Sequence, residues 1–375
     1  MNVYVVLIIW FIFWGSISNM VAKPIYVGVD RYENRTNMFM AIITFSFLIL
    51  IAGLRNGMAD TGAYLIVFDD IPDNFKELYT YISIQFQKSQ GFYFLAGLIK
   101  CFISDDFHVW LFILATINGL CVAFTLQKNS CNFAISALLF ILTAHFSWMV
   151  NGLKQFFVAT IMFSMTGLIL NKKIIPYMLL VVVMTFFHTT ALIFIPIYFI
   201  VQGEAWNKRT VLFIIFIILA ILFAGRFTHV FNEIVENTSY NNSMKLLSKT
   251  DDGTNIIRIF IEAIPTIIAF LYRDKIKKIA TPIINLCINM SIMGTGIYII
   301  SKIVSSGIMI GRLPIYFILY NLILLPWLIE NIFEKEEKRL IYYTMIICYL
   351  VFFYYQIVIA WDGLPYKSDI LTFFK

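Results

Sequence analysis

From Asn151 to Ile200 the chain runs fifty residues with three lysines and no carboxylate: NGLKQFFVATIMFSMTGLILNKKIIPYMLLVVVMTFFHTTALIFIPIYFI. A stretch this apolar belongs in a bilayer, and its polar exceptions then carry the information. Residues 154–170 read as one membrane-crossing helix that ends at the basic turn Asn171-Lys172-Lys173. Residues 174–200 are long for a single span and are interrupted at Phe187-His188-Thr189-Thr190. Split at His188, they give two helices of roughly 13 residues, each about 20 Å long at 1.5 Å per residue. That falls short of a hydrocarbon core of about 30 Å, so the broken pair at 174–201 is expected to dip in and return. Such backbone is tolerated only where protein or a water-filled cavity covers it. Lys154 and His188 then face one side of the membrane, opposite Lys172 and Lys173.

The rest of the chain fits a membrane protein. Of its 375 residues 60% are hydrophobic and 13% charged, against about 25% charged in soluble domains. Apolar runs near 3–22, 38–54, 107–126, 131–149, 154–170, the broken pair, 210–225, 256–272, 283–303, 313–329 and 340–360 predict an all-α, polytopic integral membrane protein. About twelve transmembrane or near-transmembrane helices are expected, in one membrane domain spanning 1–375. The net charge of +6 is scattered over short loops, which suits orientation and contact with membrane lipid and excludes a nucleic-acid surface. Cys101, Cys121, Cys131, Cys287 and Cys348 lie in or beside apolar segments without C-x-x-C spacing, so they read as packing residues. No basic residue precedes the first apolar run, so the N-terminus is expected to stay as a helix.

Charge sets the expected sides. With the loop 23–37 inside, alternation also places Lys128, Lys172 and Lys173, Lys208 and Arg209, Arg273 to Lys278, and Lys335 to Arg339 inside. These six loops hold fifteen of the 28 Lys and Arg. The long loops 55–106 and 226–255 and both termini fall outside, with Asn241 and Ser368 as outer markers and Lys172 and Lys277 as inner ones. Gly91–Ile103 is apolar but short and carries Lys100, so it reads as an interfacial or re-entrant helix on the outer face. Between residues 55 and 90, Phe68, Ile71, Phe75, Leu78, Tyr79 and Ile82 recur at helical spacing.

With sides assigned, cations collect at outer helix ends. Arg55 closes the second span and is followed by Asp60 and Tyr64 in RNGMADTGAY; Lys154 opens the fifth; His188 sits at the break; Arg312 opens GRLPIYFILYNLILLP. Cations at the mouth of an apolar cavity suit an anionic lipid headgroup, above all a lipid diphosphate, with arginine offering a planar fork to its oxygens. Arg226 and Arg258 read instead as side chains snorkelling to outer headgroups. Asp69-Asp70-Ile71-Pro72-Asp73 matches the D-D-x-x-D pattern that holds magnesium diphosphate. A single acidic motif without a second one reads as a solvated loop, so no metal site and no cofactor are expected. His108, His145 and His229 are isolated and read as satisfied or exposed.

The pattern of an outer Arg closing the second span, then G-x-D-x-x-x-Y, a basic residue plus Gln opening a middle span, and F-H-x-S/T-A-L in a broken helix resembles the EpsG-like family. Those are bacterial membrane polymerases of exopolysaccharide and capsule, of the Wzy (O-antigen polymerase) type. The matching residues are Arg55, Asp60 and Tyr64, Lys154 and Gln155, Phe187 to Leu192, and Arg312 with Tyr316. Lys154 stands where the family commonly has Arg, and Met58-Ala59 lengthens the step from Gly57 to Asp60 by one residue. The resemblance implies a glycosyltransferase in the bacterial cytoplasmic membrane, its active site facing outward. Donor and acceptor would be undecaprenyl-diphosphate-linked glycans, with a chain-length regulator and a flippase as further partners. Arg55, Lys154 and Arg312 would stabilise the departing diphosphate, with Tyr64 and Gln155 beside them, and His188 or Asp60 would take the acceptor proton.

Three rival readings remain in view. A lipid-linked oligosaccharide flippase would be expected to show two related halves, and no internal repeat is visible. A membrane acyltransferase would place its histidine toward the cytoplasm. A prenyltransferase would carry a second acidic motif.

Overall fold

The computed structural model describes residues 2–28, 31–236, 253–307 and 309–372. The outer marker Asn241 and most of the expected outer loop 226–255 lie outside the described residues. Contacts gather the chain into two units, residues 1–195 with 333–375 (unit 1) and 196–332 (unit 2).

Unit 1 begins with α1 (Asn2–Met20), a hairpin of β1 (Lys23–Gly28) and β2 (Arg31–Arg35), and α2 (Met38–Gly53). Three short helices follow, α3 (Thr61–Asp70), α4 (Phe75–Gln85) and α5 (Gln90–Phe102), and then the long α6 (Phe107–Asn129). The bent pair α7 (Phe133–Leu142) and α8 (His145–Asn151) leads to α9 (Leu153–Ser164), α10 (Thr166–Leu170) and α11 (Ile174–Phe187). A 3₁₀ turn (Thr189–Ile193) precedes α12 (Phe194–Ile200), inside which the unit boundary falls. The C-terminal helix α20 (Lys335–Tyr354) ends in a π turn (Tyr355–Ala360). Unit 2 holds α13 (Lys208–Leu222), α14 (Ala224–Glu236), α15 (Ile256–Leu271), α16 (Arg273–Ile279), α17 (Pro282–Ile303), α18 (Ile315–Ile318) and α19 (Asn321–Ile332).

Short polar side chains start these helices. Asn37, Asn74, Asp106, Asn132, Asn207 and Asn255 each accept a bond from a backbone N–H in the first turn, satisfying donors that a helix start leaves open. Among the described residues the architecture is all-α apart from the hairpin, where the sequence predicts an inner loop. Lys23 pairs with Arg35 and Tyr26 with Tyr32, the two tyrosine rings meeting edge-on at 5.6 Å. Arg35 anchors the hairpin by donating to the Ser130 carbonyl at 2.6 Å while pairing with Glu33.

Among the described residues, four helices are long and apolar enough to cross a membrane: Val3–Met20, Phe107–Asn129, Pro282–Ile303 and Lys335–Ala360. Two bent pairs raise the number to six if each is counted as one span; α7 and α8 bend by 55°, and α13 bends by 102° into α14. The other runs expected to complete about twelve crossings form apolar helices of 10–17 residues, about 15–25 Å long, so length by itself does not make them spans. The 55–90 segment, whose apolar spacing runs on without a break, splits into α3 and α4 at Ile71–Asn74, where Pro72 cannot continue a helix.

In unit 1, α2 lies against α6 where Gly53 faces Phe112; a Cβ there would fall 2.6 Å from the ring. Next to this contact, α3, α4 and α5 pack on α6 and α9 around Phe68, Leu78, Phe92, Trp110, Leu153 and Phe157, with Phe68 and Trp110 stacked at 5.0 Å. This apolar floor carries the site described next.

Candidate functional site

Arg55 follows α2 and is 1% exposed. Its Nη1 donates to the Ala52 carbonyl, one of the acceptors that the end of α2 leaves open, and its Nε donates to Thr61 Oγ1 at 2.8 Å. Nη2 is buried without a partner among the described residues. Burial pulls the guanidinium down to about 9, against an opposing pull from Tyr366. It therefore keeps its charge at neutral pH. The sequence reading aimed Arg55 at a diphosphate; here two of its donor groups close the α2 end and hold the start of α3.

The C-terminal residues complete this turn. The backbone N–H groups of Asn56 and Gly57 donate to the Lys367 carbonyl, and Lys367 N–H returns a bond to Gly57 at 2.8 Å. Asn56 Nδ2 donates to Asp369 at 2.7 Å, Ser368 donates to the Leu54 carbonyl, and Tyr366 donates to the Ile51 carbonyl at 3.3 Å. His108 bridges from Asp106 at 2.9 Å to Asn56 Oδ1 at 3.2 Å, so it is satisfied, as expected. Ser368 is buried by this docking.

Asp60 is exposed and stands just before α3. Its backbone carbonyl accepts from Ala63 and Tyr64, while its carboxylate makes no capping bond. One turn along, the half-buried ring of Tyr64 faces Lys154. Lys154 Nζ lies 5.8 Å from the Tyr64 ring centroid and 5.0 Å from that of Tyr93, and it donates to Tyr93 Oη at 3.1 Å. Phe86 stacks on Tyr93 at 3.8 Å and Phe92 meets Tyr64 at 6.1 Å, which holds both rings in place. No carboxylate is ion-paired with Lys154 among the described residues. Gln155, the next residue, is buried at the start of α9.

His188 ends α11 and starts the 3₁₀ turn. Its Nδ1 accepts from the Thr190 backbone N–H at 3.4 Å and lies 2.7 Å from Thr190 Oγ1. Phe187 stacks on Phe157 of α9 at 5.2 Å, and Phe186 meets α5 at Gly91. The break is thereby fixed at the end of unit 1 that carries Lys154, Tyr64 and Asp60. Arg312 belongs to unit 2, half-buried in the turns between α17 and α18. Lys100 Nζ donates to the carbonyls of Phe68 and Asp69 at 2.9 and 2.8 Å, closing the end of α3. Asp69, Asp70 and Asp73 are not part of any group of three metal-binding side chains among the described residues.

Two features escaped the sequence reading. Tyr93 sits in an apolar helix and reads there as core. Arg258, expected to snorkel to headgroups, is 6% exposed on α15, one turn before Glu262 at 2%. Asn321 Nδ2 donates to the Glu262 carboxylate at 3.1 Å. The i, i+4 spacing of Arg258 and Glu262 was the signal available: a carboxylate one turn away draws an arginine inward.

No curated protein and no solved structure matches the chain. Residues 38–368 match the EpsG family, a stretch that contains Arg55, Asp60, Tyr64, Lys154, Gln155, His188 and Arg312. The chain therefore belongs to the EpsG family and is a membrane protein of polysaccharide biosynthesis.

Proposed function

We propose that the protein polymerises undecaprenyl-diphosphate-linked oligosaccharide repeat units at the outer face of the bacterial cytoplasmic membrane. The setting of Lys154 carries this reading. A half-buried ammonium held by two tyrosine rings and one neutral hydroxyl keeps its charge available to an anion from outside the protein. A lipid diphosphate is such an anion. The acceptor hydroxyl attacks C1 of the donor sugar and gives its proton to a base; the C1–O bond breaks, and the diphosphate leaves with the electron pair. Lys154 stabilises that leaving charge without a divalent metal. Tyr64 and Gln155 line the contact, and Arg55 holds the turn that presents Asp60.

Of the two candidate bases, Asp60 is favoured. The capping bond occupies the Nδ1 lone pair of His188, which leaves its other ring nitrogen as a donor. Asp60, exposed and not spent on a cap, has both oxygens open to substrate. Asp60→Asn should abolish turnover, about 10²–10⁴-fold for a lost general base, while His188→Gln keeps measurable product because Gln can still accept the Thr190 bond. Purified protein is given lipid-linked repeat units and polymer length is read on gels. Polymer made by Asp60→Asn but not by His188→Gln reverses the assignment. No polymer from the wild-type protein, with movement of lipid-linked units across vesicles instead, favours the flippase reading.

A further inference from the structure

Unit 2 carries two adjoining cavities that the proposed transfer does not use. One is a polar cleft of about 540 Å³ where the turn before α13 meets α16; Lys208, Arg273 and Lys277 bring three cations to it, Glu204 and Asp274 two carboxylates. The other is an apolar groove of about 580 Å³ along α13, α15 and α17. Trp206 and Arg273 line both, so the two meet at that pair.

The sequence builds the groove by register. Val211, Ile214, Ile218 and Ile221 recur at three- and four-residue spacing and give α13 one apolar face, about 15 Å long at 1.5 Å per residue. Gly296 of α17 forms the floor, where a Cβ would fall 2.5 Å from the Phe213 ring. The junction is equally built. Trp206 adopts a left-handed backbone with φ of 61° and donates its N–H to Asn289 Oδ1 at 3.2 Å. Its ring meets Phe270 at 5.4 Å, and Arg273 lies 4.9 Å over that same Phe270 ring. The indole Nε1 of Trp206 is buried without a partner among the described residues. None of the five charged groups of the cleft is ion-paired among the described residues.

One kind of molecule answers both cavities at once. An acyl chain matches the groove, a phosphate matches the three cations and the indole N–H, and the carboxylates of Glu204 and Asp274 call for hydrogen-bond donors beside that phosphate. We propose that unit 2 holds a specific phospholipid, one whose headgroup carries O–H or N–H donors in addition to its phosphate. A choline headgroup offers the phosphate without the donors. Inorganic phosphate leaves the groove empty.

The test uses the full-length protein, delipidated in detergent and re-equilibrated with phosphatidylglycerol or phosphatidylcholine, with retained lipid read by native mass spectrometry. The wild-type protein should retain one phosphatidylglycerol with about tenfold preference over phosphatidylcholine. The Arg273→Gln/Lys277→Gln double variant should lose that preference. Ile218→Trp, which fills the groove from an exposed position, should weaken retention of both lipids, and millimolar inorganic phosphate should displace neither. Equal retention of the two lipids by the wild type overturns the proposal. So does an unchanged preference in the double variant with helicity intact, or displacement by phosphate alone.

Discussion

Lys154 and Arg258 are both single cations in apolar helices, and the two units treat them in opposite ways. In unit 2, Arg258 is buried with Glu262 one turn along α15, and Asn321 bonds that carboxylate. A buried acid thus stands one turn from its charge, within electrostatic reach. In unit 1, Lys154 has a tyrosine hydroxyl at 3.1 Å and two aromatic faces, and no carboxylate is paired with it among the described residues. An aromatic face returns about 0.5–2 kcal/mol to a cation, whereas withdrawing an ion from water costs several. Lys154 lacks the acid that Arg258 has one turn along its helix. A cation at a helix start with no acid beside it suits the anionic substrate proposed above; one with a buried acid one turn away suits a structural role.

Substitutions that separate stability from activity test this contrast. The largest effect is expected at Glu262. Glu262→Ala leaves Arg258 buried without its carboxylate and should cost about 3–5 kcal/mol of stability, read as a lowered melting temperature in detergent. An unchanged melt would remove the pair from its structural role. Lys154→Ala should do the reverse, melting like the wild type while polymer formation falls by about 10²–10³, the cost of one preorganised donor in comparable sites. Lys154→Arg should retain activity, since the charge remains and the guanidinium forks onto phosphate. If Lys154→Ala lowers the melt and leaves polymer length unchanged, the two cations are alike after all.

A smaller effect is expected at the turn before α3. Thr61→Val removes the acceptor for Arg55 Nε and leaves a second buried donor unmet, which should cost about 1–3 kcal/mol. It should also loosen the docked C-terminal residues, because Asn56 and Gly57 hold Lys367 from this same turn. Hydrogen exchange at the Lys367 amide reports that loosening. Exchange at the wild-type rate would mean that the tail holds the turn without help from Arg55.

Much of this organisation was legible in sequence, and the failures have physical reasons. Apolar runs gave most helices, because the burial of an apolar segment is a local signal. The break at His188 followed from counting residues against the bilayer. The docking of residues 366–369 on the Arg55 turn was hidden, since backbone pairing across more than three hundred residues leaves no periodicity. The hairpin 23–35 was hidden too: its two strands are only six and five residues long. Arg258 was misread by weighing each cation alone without looking one turn further for an acid. Tyr93 was invisible for the opposite reason, as a tyrosine among Phe92, Phe94 and Leu95 looks like packing until its hydroxyl is seen to face a lysine.

Tyr93 gives the smallest and sharpest division between the two treatments of charge. Tyr93→Phe keeps the ring 5.0 Å from Lys154 and its stacking on Phe86 but deletes the hydroxyl. If the cage only shelters the ammonium, the quadrupole carries most of the effect and the loss is about 1 kcal/mol or less, a fewfold change in rate. If the hydroxyl also aims Nζ at the diphosphate, the lysine gains freedom and the loss should fall on the turnover rate, with the apparent affinity for lipid-linked donor unchanged. Tyr93→Leu removes hydroxyl and aromatic face together and should lower both. Steady-state kinetics of the three proteins at matched reconstitution separates these cases. A Tyr93→Leu variant with wild-type kinetics would show that Lys154 needs no cage, and that its distance from any carboxylate is enough to keep its charge available.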